Sequence, residues 1–355
     1  MSVYITGAYR TPVGIKNGMF KEIGAAELAA PVIKTLYANL DSPPDEVILG
    51  NVTGPGGNIA RLSALLAGLP DTVPGLTVDR QCSSGLEAIR IGASLIHSGQ
   101  ADLIIAGGCE SSSTSPRPEK AIFSPDYIGD PEMGIAAEWL AAREHISRKE
   151  QDDFAIRSYK RYYESYDQGF FQNEVIPVHG IKADESAVKK RPIEKMAGRA
   201  KAAFQTGGTV TAINSSAHND AACAVTITSK ANRGLKIIGS AAAGADPNFP
   251  AATPVPAIKK LLQQTCLTPS DIDLWEINEA FAVKILYTAR ELTIPLEKIN
   301  VFGGGIALGH PYGASGAMLA LRLFYGMPHK LAKYGVAAVG SAGGIGVAML
   351  FEYVN

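Results

Sequence analysis

Residues 29–51, "AAPVIKTLYANLDSPPDEVILGN", carry apolar side chains at helical spacing, then a proline-containing turn, then a short apolar run. That order predicts an amphipathic helix, a turn and a buried strand. Residues 254–278, "PVPAIKKLLQQTCLTPSDIDLWEIN", show the same order again. Pro31 matches Pro256, Ile33 matches Ile258, Lys34 matches Lys259, Pro43 matches Pro269 and Asn51 matches Asn278, with the offset drifting only from 225 to 227.

The correspondence continues downstream. Asn51 lies 31 residues before Cys82, and Asn278 lies 32 before His310. "CSSGLEAIRIGASLI" and "HPYGASGAMLALRLF" each begin with small residues and pass into a helical apolar pattern. Each leads to a strand-like run, "ADLIIAGG" and "GVAAVGS", and "SVYITGA" loosely matches "LKIIGSA". Alternating strands and helices predict two duplicated α/β units with largely parallel sheets. The first unit covers residues 1–109 and is completed by the strand at 220–230, and the second covers 231–355. Residues 110–219 form an insertion, with a helix over "SRKEQDDFAIRSYKRYYESY" capped by Ser147 and a basic, irregular stretch "KKRPIEKMAGRAK". Insertions on a duplicated core commonly carry a binding surface.

Composition narrows the setting. Of 355 residues, 46% are hydrophobic and 19% charged, enough for a large buried core and against disorder. Basic and acidic residues number 33 and 34, so the chain has no general attraction for nucleic acid or an anionic membrane. No apolar run approaches the ~20 residues of a membrane span. The start "MSVYITGAYRTP" reads as strand and turn rather than signal peptide, and the ending "EYVN" is not an SKL-type address. Four cysteines without a CxxC pair argue against a disulfide scaffold or zinc ribbon, and a reducing cytoplasm is the expected location.

The candidate chemistry sits at the equivalent points of the two units. Cys82 precedes Ser83, Ser84, Gly85 and a helix whose N-terminal dipole stabilises a thiolate. His310 lies between glycine and Pro311 at another helix start. If the units pack about a pseudo-twofold axis, the two residues face each other as nucleophile and base, which outweighs the plainer reading of Cys82 as a small core residue. Cys109, Cys223 and Cys266 are read as core packing. Asn278 and Glu279, at a strand end, are candidates for capping a helix or orienting water. The loop in "AVGSAGGIGVAML", residues 338–350, offers either a tight turn or working backbone amides. Its partial likeness to GxGxxG lacks a following helix, which excludes a dinucleotide fold.

These segments, with "VYITGAYRTPVG", "ARLSALLAGLP", "AGGCES", "MGIAAE", "GTVTAINSSAHNDAA" and "NEAFA", resemble thiolases of acetyl-CoA C-acetyltransferase or 3-ketoacyl-CoA thiolase type, in order and along nearly the whole chain. The resemblance implies two βαβαβαββ halves in a layered αβαβα architecture, a loop domain inserted in the first half, a homodimer or homotetramer, and acyl-CoA as substrate with no permanently bound cofactor or metal. It implies Cys82 as acyl-accepting nucleophile, His310 as base and Asn278 as holder of a water. The amides of Cys82 and Gly343 would form an oxyanion site, each donor worth about 2.7–4 kcal/mol. It implies coenzyme A contacts at Arg199 or Lys201, although the insertion is short for the family. One departure stands out. The second cysteine of the family pattern C-x-G-G-G-x-G falls on Gly340, or on Ser341 with a one-residue gap. "WEINEAFA" supplies no histidine of the alternative HDCF kind, and His218 is read as structural. Losing a positioned acid or base costs ~10²–10⁴ in rate. Acyl transfer to Cys82 is therefore expected to survive with carbon–carbon chemistry impaired or altered. The alternatives are a condensing enzyme with a different acid or a decarboxylating substrate, and a non-catalytic binder of coenzyme A thioesters.

Overall fold

The computed structural model describes residues 1–116 and 121–355. The first half runs β1 (Val3–Arg10), α1 (Ala25–Tyr37), β3 (Glu46–Gly50), α2 (Ile59–Leu66), β4 (Gly75–Val78), α3 (Ser84–His97), β5 (Leu103–Ser111) and β6 (Asn219–Thr228), with a two-residue β2 (Gly14–Ile15) pairing β6. The second runs β7 (Gly234–Gly244), α8 (Pro254–Thr265), β8 (Leu274–Ile277), α9 (Ala282–Leu292), α10 (Gly305–Leu308), α11 (Tyr312–His329), β9 (Tyr334–Ser341) and β10 (Ile345–Val354). The third strand of this half is reduced to one bridge between Trp275 and Ile299.

The strand order β4-β3-β5-β6-β1-β7-β10-β9-β8 is mirrored about its middle. Among the described residues only strands β3–β4, β3–β5 and β8–β9 pair in parallel, so the expectation of largely parallel sheets is corrected. The three-residue link between β9 and β10 makes an antiparallel hairpin, and β1 lies antiparallel to both β6 and β7, between them. A three-residue ladder, Val3 to Ile5 against Leu235 to Ile237, joins the halves into one continuous path. Helices α3 and α11 touch strands of both halves and fill the central layer. Helices α1 and α2 cover the outer face of the first half, and α8 that of the second.

Between β5 and β6 the chain forms α4 (Met133–Arg143), α5 (Arg148–Asp167), α6 (Glu185–Val188) and α7 (Ile193–Ala197). Ser147 caps α5, its Oγ accepting from the Glu150 amide while the Glu150 carboxylate accepts from the Ser147 amide. The stretch read as irregular contains α7. A buried ionic cluster ties this region to the core: Arg10 donates to Glu174 at 2.6 Å and to Asp184 at 2.6 and 3.0 Å, Arg322 bridges Glu174, and the Tyr162 hydroxyl donates to Asp184. Cys109 and Cys223 are buried as expected, but Cys266 is not. It is exposed, in the left-handed C-cap of α8 at φ 56°, where the helix end turns it out of the apolar face.

Candidate active site

Helices α3 and α11 cross backbone to backbone near their first turns. A Cβ at Gly85 would lie 2.6 Å from the Gly313 carbonyl oxygen, and one at Gly316 would lie 2.5 Å from the Leu86 nitrogen. No larger residue permits this approach, and it brings the two helix starts, with Cys82 and His310, to one place.

Cys82 sits in a tight turn. Gln81 adopts φ 51°, a left-handed conformation uncommon for a side-chain-bearing residue. The Ser84 hydroxyl holds that turn, accepting from the Arg80 amide at 2.7 Å and donating to the Gln81 carbonyl at 2.6 Å. Cys82 itself is half-buried, and the Ser83 hydroxyl meets that of Ser341, at the end of β9, at 2.5 Å.

His310 is 97% removed from solvent, with 3% of its surface exposed. Its amide donates to the Ala217 carbonyl and to the Asn219 side chain. Its Nδ1 lies 2.6 Å from the Ser315 Oγ, and Ser315 gives its single proton to the Pro311 carbonyl at 2.8 Å. Nδ1 must therefore carry the ring proton, leaving Nε2 as an acceptor 3.4 Å from the Asn278 amide nitrogen. Burial pushes the imidazole well below its ordinary pKa, and the charges of Lys284 and His218 push the same way, so the ring is neutral near pH 7.

Asn278 follows β8, its amide donating to the Ala338 carbonyl at 3.0 Å. Glu279 turns inward. Its carboxylate accepts from Ser158 at 2.6 Å, Asn300 at 2.8 Å and the Ile306 amide at 3.2 Å, fastening the loop before His310 to α5. Gly343 and Gly344, both at φ 74°, make the three-residue turn between β9 and β10, so the glycine-rich segment closes a hairpin. Arg199 and Lys201 lie exposed beyond α7, and among the described residues neither bonds to this cluster. His218 is exposed, bridges His310 through the backbone and packs edge-on to Tyr312.

Two residues of the cluster escaped the sequence reading. Ser315 fixes the imidazole, and its signal was a hydroxyl five residues after His310, one helical turn past Pro311. Lys284 is completely buried in the first turn of α9, where its Nζ donates to the Gly340 carbonyl at 2.8 Å. Its signal was a lone cation inside the apolar run "AFAVKIL". Burial lowers Lys284 to about 8, against the pull of Cys82. Among the described residues no group of three His, Cys, Asp or Glu side chains could hold a metal ion, and no helix is long and apolar enough to cross a membrane.

Two family models cover the chain: "Thiolase, N-terminal domain" over residues 3–231 and "Thiolase, C-terminal domain" over 231–353. YhfS of Bacillus subtilis (strain 168), provisionally named an acetyl-CoA C-acetyltransferase, is 55% identical over 361 residues, covering 99% of both chains. VraB of Staphylococcus epidermidis (strain ATCC 35984), with the same provisional name, is 41% identical over 378 residues, covering 98% of this chain and 97% of its own. The crystal structure of the Bacillus anthracis acetyl-CoA acetyltransferase superposes with a TM-score of 0.92 at 35% identity, covering 99% of each chain.

Proposed function

The chain belongs to the thiolase family, and on that premise we propose that it is an acyltransferase that carries the acyl group of a coenzyme A thioester on Cys82. The Cys82 thiol gives its proton to Nε2 of His310, and the thiolate adds to the thioester carbonyl. The Asn278 side chain and the amides of Cys82 and Gly343 stabilise the oxyanion. Collapse expels coenzyme A, which takes the proton back from His310. An incoming thiol then reverses the steps and removes the acyl group.

The observation that carries this reading is the state of His310: neutral, protonated on Nδ1, with Nε2 turned to Asn278, at a helix start that crosses the start of α3 beside Cys82. Arg199 or Lys201 would meet the nucleotide phosphates of coenzyme A, which is substrate here and not a resident cofactor. Residues 1–109 with 220–230, 110–219 and 231–355 are the proposed units, in a cytoplasmic protein. Exposed Leu62, Leu65 and Leu66 on α2, and Leu76 on the edge strand β4, support assembly as a homodimer or homotetramer.

Intact-mass measurement after incubation with a panel of acyl-CoAs tests the proposal. Addition of one acyl group, abolished by Cys82→Ser and slowed by His310→Ala, is expected. A protein that binds acyl-CoA yet takes up no acyl group from any of them would instead be a thioester-binding protein.

A further inference from the structure

Resting on that acyl-transfer reading, cleavage of a 3-oxoacyl thioester sets a further demand. Breaking its C2–C3 bond places an electron pair on C2, which needs a proton, and the incoming coenzyme A thiol must lose one. His310 already serves Cys82, so another group must handle both.

The nearby candidates can be taken in turn. The Ser341 hydroxyl is engaged with Ser83. A side chain at 340 would not face the cluster, because its Cβ would lie 2.6 Å from Pro254 Cδ and Thr253 Oγ1. Glu279 is spent on its three donors. Glu110 accepts from Asn51, Val52, Thr53 and the Gly313 amide. His218 is exposed.

Lys284 differs from all of these. The Ala338 carbonyl takes the Asn278 amide, and two residues along the same strand edge the Gly340 carbonyl takes Lys284 Nζ. Carbonyls two apart in a strand point the same way, so Lys284 reaches β9 on the side where Asn278 lies. An ammonium has three donors, and among the described residues one is used. Among the described residues no carboxylate pairs with it. It also sits in the first turn of a helix, where the dipole disfavours a cation. Burial brings it to about 8, where it can both give and take a proton near neutral pH. The titratable groups that act on it or are acted on by it are Cys82 and His310, with His218 next to the latter.

We propose that Lys284 is a second acid–base residue of this site, its Nζ held on the Gly340 carbonyl to serve the carbon and the incoming thiol. The Cys82 thiolate adds to the 3-oxo carbonyl, and C2–C3 breaks with its electron pair going to C2. The Lys284 ammonium protonates C2, giving an acyl-CoA shortened by the acyl group now on Cys82 and leaving a neutral amine. Coenzyme A gives its thiol proton to that amine, its thiolate attacks the acyl-Cys82 thioester, and Cys82 leaves as thiolate to be reprotonated by His310. In the opposite direction the neutral amine removes an α-proton from acetyl-CoA.

That last step gives the test: deuterium uptake into the acetyl methyl group of acetyl-CoA in D2O, followed by NMR, alongside intact-mass measurement of Cys82 acylation. Uptake is expected in the unmodified protein, rising with pH through a midpoint near 8. Lys284→Met, a substitution of similar length that suits an apolar site, should lower uptake by ~10²–10⁴-fold with a much smaller effect on acylation. Lys284→Arg, always charged, should be as slow. Ethylamine should restore part of the uptake in Lys284→Ala. Uptake by Lys284→Met within threefold of the parent overturns the assignment. Equal losses of uptake and acylation would make Lys284 an electrostatic partner of Cys82 and also overturn it. If the parent takes up deuterium through Lys284 but never acylates, the acyl-enzyme reading fails and the lysine assignment stands. If it does neither, both fail.

Discussion

Ser315→Ala removes one oxygen from the cluster, and its effect can be worked from the hydrogen bonds. The Nδ1–H of His310 loses its one side-chain acceptor among the described residues, 2.6 Å away, in a site where both residues are at most 5% exposed. In the resting protein that bond is between neutral groups, worth about 0.5–1.5 kcal/mol of stability. During acylation His310 becomes an imidazolium and the same bond becomes charge-assisted, worth about 1.5–3 kcal/mol. The barrier rises by the difference, about 1–1.5 kcal/mol, so at about 1.36 kcal/mol per tenfold acylation of Cys82 should slow by roughly 5–15-fold, with a stability loss of about 0.5–1.5 kcal/mol. Single-turnover release of coenzyme A, with a urea titration of the same variant, reads both quantities. Ser315→Thr keeps the hydroxyl and should restore most of the rate. Acylation of Ser315→Ala within threefold of the parent would refute the fixed-tautomer argument. So would an acid limb of the parent's acylation profile at the ordinary histidine value of about 6.5, because burial and Lys284 place it well below.

Under limited iodoacetamide treatment Cys82 and Cys266 should be labelled, while Cys109 and Cys223, whose thiols burial pushes far up, should not; peptide mapping should find only Cys82 protected by acyl-CoA, and first labelling at either buried thiol would contradict the site. Arg10→Met leaves Glu174 and Asp184 without their main buried counter-charge and should cost about 3–5 kcal/mol in a denaturant titration, and a loss below ~1 kcal/mol would show the cluster to be self-sufficient. Burial raises Glu276 from 4.5 to about 8, so the folded state holds a proton the unfolded chain has lost; stability should fall as pH rises across that window, and Glu276→Gln should flatten the fall, which an unchanged slope would disprove. Reversing the charge of both Arg199 and Lys201 should weaken coenzyme A binding and its salt dependence, and unchanged affinity removes them from the site.

The duplicated core was legible because each half repeats the same periodicity, and a strand or helix face is written in local spacing. Strand direction was less so. Alternation of elements suggested parallel sheets, but the central strands pair antiparallel across long sequence separations, β1 between β6 and β7 and β10 between β7 and β9. Cys266 shows a similar limit. Periodicity puts it at the end of an apolar helix, and only the left-handed cap turns it outward. Glu279 stood beside Asn278 and looked chemical, yet its partners, Ser158, Asn300 and Ile306, lie 121, 21 and 27 residues away and make it a fastener. Cys82 and His310 became one candidate pair because equivalence within the repeat links residues far apart in the chain. Lys284 has no counterpart in that scheme, and so passed as one lysine in a helix.

The repeat also explains how the two helix starts are held, by a reciprocal exchange between the halves. At the end of β5, Glu110 of the first half accepts from the Gly313 amide at the start of α11, the His310 helix of the second half. At the end of β9, Ser341 of the second half meets the hydroxyl of Ser83 at the start of α3, the Cys82 helix of the first half. Each helix start is thus anchored by the opposite unit, so Cys82 and His310 cannot separate without breaking a bond between halves as well as the crossing at Gly85 and Gly316. The exchange is unequal in charge. A buried carboxylate complements the positive end of α11, whereas a neutral hydroxyl stands by α3. No anion from β9 stands at the end of α3 beside Cys82, and the helix's own first-turn carboxylate, Glu87, is paired with Arg80 and Arg90, so the dipole still acts on a thiolate. A buried lysine on the Gly340 carbonyl fits the same arrangement: one residue before Ser341 that carbonyl takes Lys284, as one residue before Glu110 the Cys109 carbonyl takes the Asn51 side chain.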